Sequence, residues 1–436
     1  MSTVPKPPDI SDAPLWRNRN FRLLFVAQIV SLLGSGVTTV GLALFAYQLT
    51  GGASATAVIG NALTLRILAF LIFSQPAGVI ADRVSRKGIL ITADVVRFGL
   101  LALFPFINSV WQIYLLIFLI NAVTAFFTPT FEASIPEVVG EERYVKALSL
   151  SRVAVDVEAV AAPAVAGLLV AALGVRWVFW FDGFTYLVSA LLVALAVVPR
   201  VSRATVPLSW RVFLSEIQTG TRVLLREASL RQALILSFAE ATAGAAAIVA
   251  TVAYVRDALQ RGETAYAMTM VGLGLGSTIA AILLGRATGR YEQTARNKAE
   301  LHGRRHRWTQ RALISGGVLL GAILLPGAFM PSLSVFAILW FLNGAGQALI
   351  AIPSSTLLAE HTHEEERGRA YAAHFALTHA CWLVTYPAIG HAAAQFGTPL
   401  TFTVAGAVCL LVTGFAFVTG RGADGAHTHQ AAQLSR

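Results

Sequence analysis

The charged side chains that stand inside long apolar runs of this sequence include Arg66, Asp94, Arg97, Arg152, Asp156, Glu158 and Glu240. A charge in such surroundings is costly, so each is a candidate for function or for pairing. Asp94 and Arg97 are i,i+3, and Arg152 and Asp156 are i,i+4, spacings at which opposite charges meet on one helix. Structural or gating duty suits both pairs. Arg66 has no acid at those spacings, which calls for a partner on another helix. Glu158 and Glu240 have no basic neighbour at those spacings. Carboxylates so placed could load and release protons or touch a substrate. The competing reading is a pairing with Arg66, or a place near a wet helix end.

A second group is His374, His379 and Cys381. Imidazole and thiolate suit nickel, cobalt, zinc or copper. On one helix, His374 and Cys381 share a face two turns apart, with Thr378 between them. His379 lies about 140° round from His374. One straight helix therefore cannot bring both histidines to one ion. A metal site would need Glu240, Asp156 or a local bulge, and packed or hydrogen-bonded His and Cys is the alternative. Asn121, Asn343 and Thr378 are further polar candidates for a substrate path.

The elements that carry these residues must be apolar helices. Of 436 residues, 56% are hydrophobic and 13% charged, against about 25% charged in a typical soluble domain. Leu23 to Leu49, Val110 to Phe131 and Pro331 to Leu358 hold no charge at all. Each exceeds the roughly 20 residues that a spanning helix needs. Backbone in hydrocarbon must satisfy its own hydrogen bonds, which selects helices. Spans are expected near 23–48, 57–80, 88–108, 110–131, 147–173, 177–198, 230–255, 264–285, 312–330, 332–358, 370–396 and 398–419. The fold class is thus an all-α membrane protein of twelve transmembrane helices. Its expected parts are an N-terminal arm (1–22), a six-helix bundle (23–198), a basic linker (199–229), a second six-helix bundle (230–419) and a tail (420–436).

Charge orients this arrangement. Of 33 Lys and Arg, 26 fall in the arm, the tail and the loops on their side, 3 in the opposite loops and 4 within spans. The positive-inside rule then places both termini in the cytoplasm of a bacterial-type plasma membrane. It also accounts for the net charge of +10 without nucleic acid. The linker pairs basic residues with Val212, Phe213, Ile217 and Leu224, which suits a helix on the membrane surface; a solvated linker fits equally. Both cysteines lie in apolar segments, so no disulfide framework is implied. Met1 to Arg22 is polar and basic, unlike a cleavable signal peptide.

The two halves resemble each other. Asn121, Pro129 and Glu141-Glu142-Arg143 recur in order as Asn343, Pro353 and Glu365-Glu366-Arg367. Such parallel repeats occur in transporters, with the substrate path between the halves at the midplane.

The loop after the second span runs from Gly78 to Gly88 and carries Asp82, Arg83, Arg86 and Lys87. As bare chemistry, Asp82 could accept from a helix N-terminus and the bases could anchor at anionic headgroups. The stretch resembles the signature loop of the major facilitator superfamily, G-x-x-x-D-R-x-x-R-[RK], at every position. The resemblance implies a conformational switch in which Asp82 helps hold the cytoplasmic side closed. Pro163 and Gly167 faintly resemble the antiporter motif of exporters. Segments Asn61 to Lys87, Ala147 to Pro163 and Tyr371 to Pro387 resemble the enterobactin-exporter-like branch, and within it the bacterial nickel- and cobalt-resistance exporters.

The function expected is therefore secondary active export by alternating access, coupled to protons. The solute would be Ni2+, Co2+ or a related divalent metal; alternatively, an organic drug or siderophore. Walker A, HExxH and GxSxG sequences are absent, which argues against ATP drive and enzymatic activity. Loops of about 30 residues leave no room for a sensor domain. Expected partners are the bilayer, the solute and protons, with no cofactor, no nucleic acid and a monomeric state.

Overall fold

The computed structural model describes residues 15–434, apart from 53, 82–83, 141–142, 144–146, 148–149, 152–153, 155–157, 159–160, 163–164, 171, 199–209, 295–297, 330–331 and 363. The first helices are α1 (Arg19–Thr50), α2 (Ser54–Ala81), α3 (Arg86–Leu103) and α4 (Val110–Val139). The described positions from 143 to 173 are all helical and are together labelled α5. There follow α6 (Arg176–Leu195), α7 (Trp210–Arg226) and α8 (Ala228–Ala258). The last five are α9 (Glu263–Thr294), α10 (Lys298–Leu324), α11 (Leu333–His361), α12 (Glu364–Phe396) and α13 (Thr398–Leu434).

Local chemistry fixes the ends. Asn18 caps α1 by accepting from the Phe21 amide at 3.1 Å, as a short polar side chain does at an N-terminus. Gly51 (φ 71°) and Gly140 (φ 83°) end α1 and α4, in backbone that side chains with a Cβ avoid.

Among the described residues, ten helices are long and apolar enough to cross a membrane. Two expected spans are not among these ten. One is α5, described only in part. The other lies in α12, where His374, Thr378, His379 and His391 dilute the apolar run.

Packing repeats from half to half. In the first, α1 lies on α6, α2 on α4, and α3 on both α4 and α6. In the second, α8 lies on α13, α9 on α11, and α10 on both α11 and α13. The same set of neighbours recurs six spans later, as the sequence repeat requires. This is the two-bundle arrangement of a major facilitator fold. The linker is helical in α7, which packs on α12. The basic stretch from Gly285 to Arg311, expected as a long loop, is mostly helix, because α9 runs on to Thr294 and α10 begins at Lys298. The helix of α13 likewise continues through most of the expected tail.

The face on which α1 starts is here called proximal, and that on which it ends distal. The halves meet most closely at the distal face. The Tyr47 hydroxyl donates to the Asp257 carboxylate, and Gln48 Nε2 donates to Glu263 Oε1 at 3.0 Å. Thr56 Oγ1 donates to the Gly390 carbonyl at 2.9 Å, and His391 Nε2 lies 3.2 Å from Asn61 Oδ1. Backbones of α2 and α12 touch here: a Cβ on Gly390 would lie 2.6 Å from the Thr56 carbonyl. Deeper, the Phe70 and Phe375 rings meet at 5.8 Å. The distal face is therefore sealed in this conformation.

Candidate functional site

Halfway along the spans, a cavity of about 270 Å³ lies between the halves. The first half supplies Gly36 and Thr39 from α1 and Glu158 from α5; the second supplies Tyr266 and Met270 from α9 and Gln347 from α11. The Gly36 position leaves the room that the Glu158 carboxylate occupies, since any Cβ there would collide with it. Ile248, on the cavity wall, sits in a π-helical turn of α8 (Ala246–Ala250). Such turns widen a helix and recur at functional sites. Glu158 is the cavity's single carboxylate among its lining residues; the other walls are mainly aliphatic, aromatic and amide. Concave, largely apolar sites with a few oriented polar groups suit small organic ligands.

Asn343 stands behind this cavity. It is buried, and its Oδ1 accepts from Gln347 Nε2 at 2.7 Å. The link positions the Gln347 amide at the wall. Asn121, its counterpart, lies on α4 and donates to the Ile117 carbonyl at 2.8 Å. It lines a smaller cavity, about 70 Å³, inside the first bundle.

The remaining candidates fall into three groups. Asp94 and Arg97 pair on α3 as their spacing predicts, both buried. The Arg97 guanidinium lies 4.2 Å from the Phe127 ring centroid and 4.1 Å from that of Tyr186, a double cation–π clamp. Glu240 is half-buried on α8, electrostatically close to Cys381, and does not line the central cavity. Arg152 and Asp156 lie outside the described residues.

The residues of α12 are dispersed. His374 Nε2 is buried and has no partner among the described residues. Thr378 donates to the His374 carbonyl at 2.8 Å. His379 Nδ1 lies 2.8 Å from the Phe375 carbonyl, and its ring stacks on Phe375. Cys381 is a free, half-buried thiol. Among the described residues, no three His, Cys, Asp or Glu side chains converge as a metal would require.

The loop from Gly78 to Gly88 differs from the headgroup anchor expected of its bases. Gly78 lies in the last turn of α2, and Asp82 and Arg83 lie outside the described residues. Arg86 instead binds Glu137 at 2.7 Å and the Ala133 carbonyl at 2.6 Å. Lys87 Nζ donates to the Ala194 and Ala196 carbonyls at 2.6 and 2.9 Å. Gly88 N donates to Ser85 Oγ, the cap of α3. Unpaired carbonyls at the C-terminus of α6 attract Lys87 and the Glu137 carboxylate attracts Arg86, so these bases staple α3 to α4 and α6.

One carboxylate was missed in the sequence. Asp182 sits in the middle of α6, buried, and accepts from Thr38 Oγ1 at 2.6 Å. It is the sole charge between Arg176 and Arg200, and the rule that singles out Glu158 applies equally to it.

The Major Facilitator Superfamily model matches residues 24–301 and 303–432. The chain belongs to the major facilitator superfamily. It is 24% identical over 416 residues to YfiS, an uncharacterized transporter of this type from Bacillus subtilis, covering 92% of this chain and 93% of that one. It is 27% identical over 221 residues to macrolide efflux protein A of Streptococcus pyogenes, covering 50% of this chain and 54% of that protein. It is 30% identical over 168 residues to the enterobactin exporter EntS of Shigella boydii, covering 36% and 38%. Among solved structures, a POT family transporter superposes with a TM-score of 0.73 at 12% identity, over 93% of this chain and 97% of that one. A bacterial homologue of the human lysosomal transporter Spinster gives 0.70 at 12% identity, over 93% and 97%. These likenesses establish the fold. The protein is a transporter rather than an enzyme, and its similarity to efflux proteins points to export.

Proposed function

We propose that this transporter exports an amphipathic organic cation from the cytoplasm in exchange for protons. The observation that carries the reading is the central cavity: one carboxylate, Glu158, among aliphatic, aromatic and amide walls at the junction of the halves. A cationic head would pair with Glu158, and its apolar body would lie against Met270 and Tyr266. The efflux of macrolides, named for a relative, is consistent with an organic solute.

The charge distribution supports a cytoplasmic proximal face. The sealed distal face then makes this conformation the one that loads from inside. Extruding a monovalent cation against an inside-negative potential costs about 2.3 kcal/mol per 100 mV. One proton entering per cation leaving cancels the charge movement. Glu158 suits such an exchange because its carboxylate can hold the cationic head until a competing positive charge displaces it. Glu240 remains a second proton candidate.

A second reading, export of Ni2+ or Co2+, draws on one observation, the unpartnered Nε2 of His374. The dispersal of His379 and Cys381 from it weighs against that reading. The two are separated by the tolerance of an export-deficient bacterial host. Expression is expected to raise tolerance to ethidium or erythromycin and leave nickel tolerance unchanged. Rescue against nickel, lost in His374→Ala and absent for both organic cations, would reverse the order.

A further inference from the structure

The first bundle holds a second polar cavity that the central site does not use. It measures about 70 Å³ and is lined by Ser35, Thr38, Thr39, Arg66, Asp182 and Tyr186 among others. At about 30 Å³ per molecule, that is room for about two waters. Asp182 accepts from Thr38 at 2.6 Å and from Thr185 at 3.3 Å. Tyr186 and Ser35 hydroxyls lie 2.9 Å apart. No cation stands within 4.0 Å of Asp182 among the described residues.

The two arginines nearby behave differently. Arg97 is fixed by Asp94 and by two aromatic rings. Arg66 is held only loosely, at 3.4 Å from Thr39 Oγ1, with no carboxylate within 4.0 Å among the described residues. Arg97 acts more strongly than Arg66 on Asp182, but Arg66 acts on both Asp182 and Glu158. Thr39 lines both cavities. Arg66 thus stands at the junction between a sealed carboxylate and the carboxylate of the solute cavity.

We infer that Asp182 is a proton-binding site of the first bundle, and that Arg66 couples it to Glu158. This deepens the exchange proposed above and rests on it for the solute. With Asp182 ionised, Arg66 is drawn to it and Glu158 is free for the cationic solute. When Asp182 takes a proton from the distal side, Arg66 is released toward Glu158 and displaces the solute there. The proton then leaves Asp182 on the proximal side, Arg66 returns, and Glu158 is free again. One proton enters for each monovalent cation that leaves. The charged and titratable groups around Asp182 are Arg66 from α2, Arg97 from α3 with its partner Asp94, and Tyr186 on its own helix; the polar groups that α1 and α4 contribute to the cavity are hydroxyls and one amide. A sodium ion suits the site less well, because Arg66 lines it and Thr38 donates into the carboxylate.

The test uses the full chain in liposomes, with ethidium as probe. Infrared spectroscopy across pH should show a titrating carboxylic-acid band that Asp182→Asn removes and Thr38→Val shifts. Accumulation driven by a pH gradient, divided by ethidium–ethidium counterflow, should fall at least tenfold in Arg66→Gln. Asp182→Asn, which leaves Arg66 on Glu158, should lose both transport modes, and adding Arg66→Gln to it should restore counterflow alone. Asp182→Glu should keep part of both modes, and a sodium gradient should drive nothing. An equal loss of both modes in Arg66→Gln, no return of counterflow in the double variant, an unaltered infrared band, or drive by sodium would overturn the assignment. If wild type moves no ethidium, the solute reading fails, and the infrared band still decides the proton site.

Discussion

Arg97 and Asp94 show how a charge is made tolerable in the first bundle. The pair neutralises itself within one turn, and Phe127 and Tyr186 cover the guanidinium. Removing one partner from a buried pair typically costs about 3–5 kcal/mol, because the other is left uncompensated. Arg97→Leu should therefore lower the melting midpoint in detergent sharply, while Asp94→Asn with Arg97→Leu should recover much of it. A single variant as stable as wild type would mean the pair is dispensable to the fold. At this scale the sequence was informative wherever partners lie on one helix. The Asp94–Arg97 pair was readable from spacing, and Glu158 from its isolation. Partners on other helices were not: nothing in the chain places Thr38 on Asp182 or Arg86 on Glu137. Asp182 is legible by the same isolation rule as Glu158.

Helices transmit what these residues do. At the distal face, α2 and α12 approach so closely that only glycine fits at position 390, with Thr56, Ala57 and Gly60 opposite. Gly390→Leu should keep the halves apart at that end. Transport should fall at least tenfold, and a cysteine at Asn61 should become reactive to an impermeant maleimide added outside cells. Normal transport with unchanged reactivity would show that the α2–α12 contact is not a gate. The proximal side is braced differently, by Arg86 and Lys87 joining α3 to the ends of α4 and α6. Element positions were readable from apolar runs because each span must satisfy its backbone internally. The extension of α9, α10 and α13 beyond the apolar runs was not, since polar helix outside the membrane resembles loop in hydropathy alone.

Across the whole molecule, one packing scheme is used twice, and the central cavity lies where the two copies meet. The repeat of Asn121 and Asn343 announced that duplication, and the placements then diverged: Asn343 backs the central cavity through Gln347, and Asn121 lines the pocket inside the first bundle. The charge asymmetry supports a cytoplasmic proximal face. On a cysteine-free background, a cysteine at Gln260 should label from outside intact cells, and one at Arg226 only after permeabilisation. The reverse pattern would invert the direction assigned to transport.

Glu158 is the point on which export of an organic cation rests. The direct measurement is ethidium transport into inverted membrane vesicles energised by a proton gradient, comparing wild type with Glu158→Gln and Glu158→Asp. Wild type should accumulate ethidium and dissipate the gradient as it does so. Glu158→Gln should lose both by at least tenfold at equal expression, and Glu158→Asp should retain part of each. Undiminished ethidium accumulation by Glu158→Gln would contradict the account.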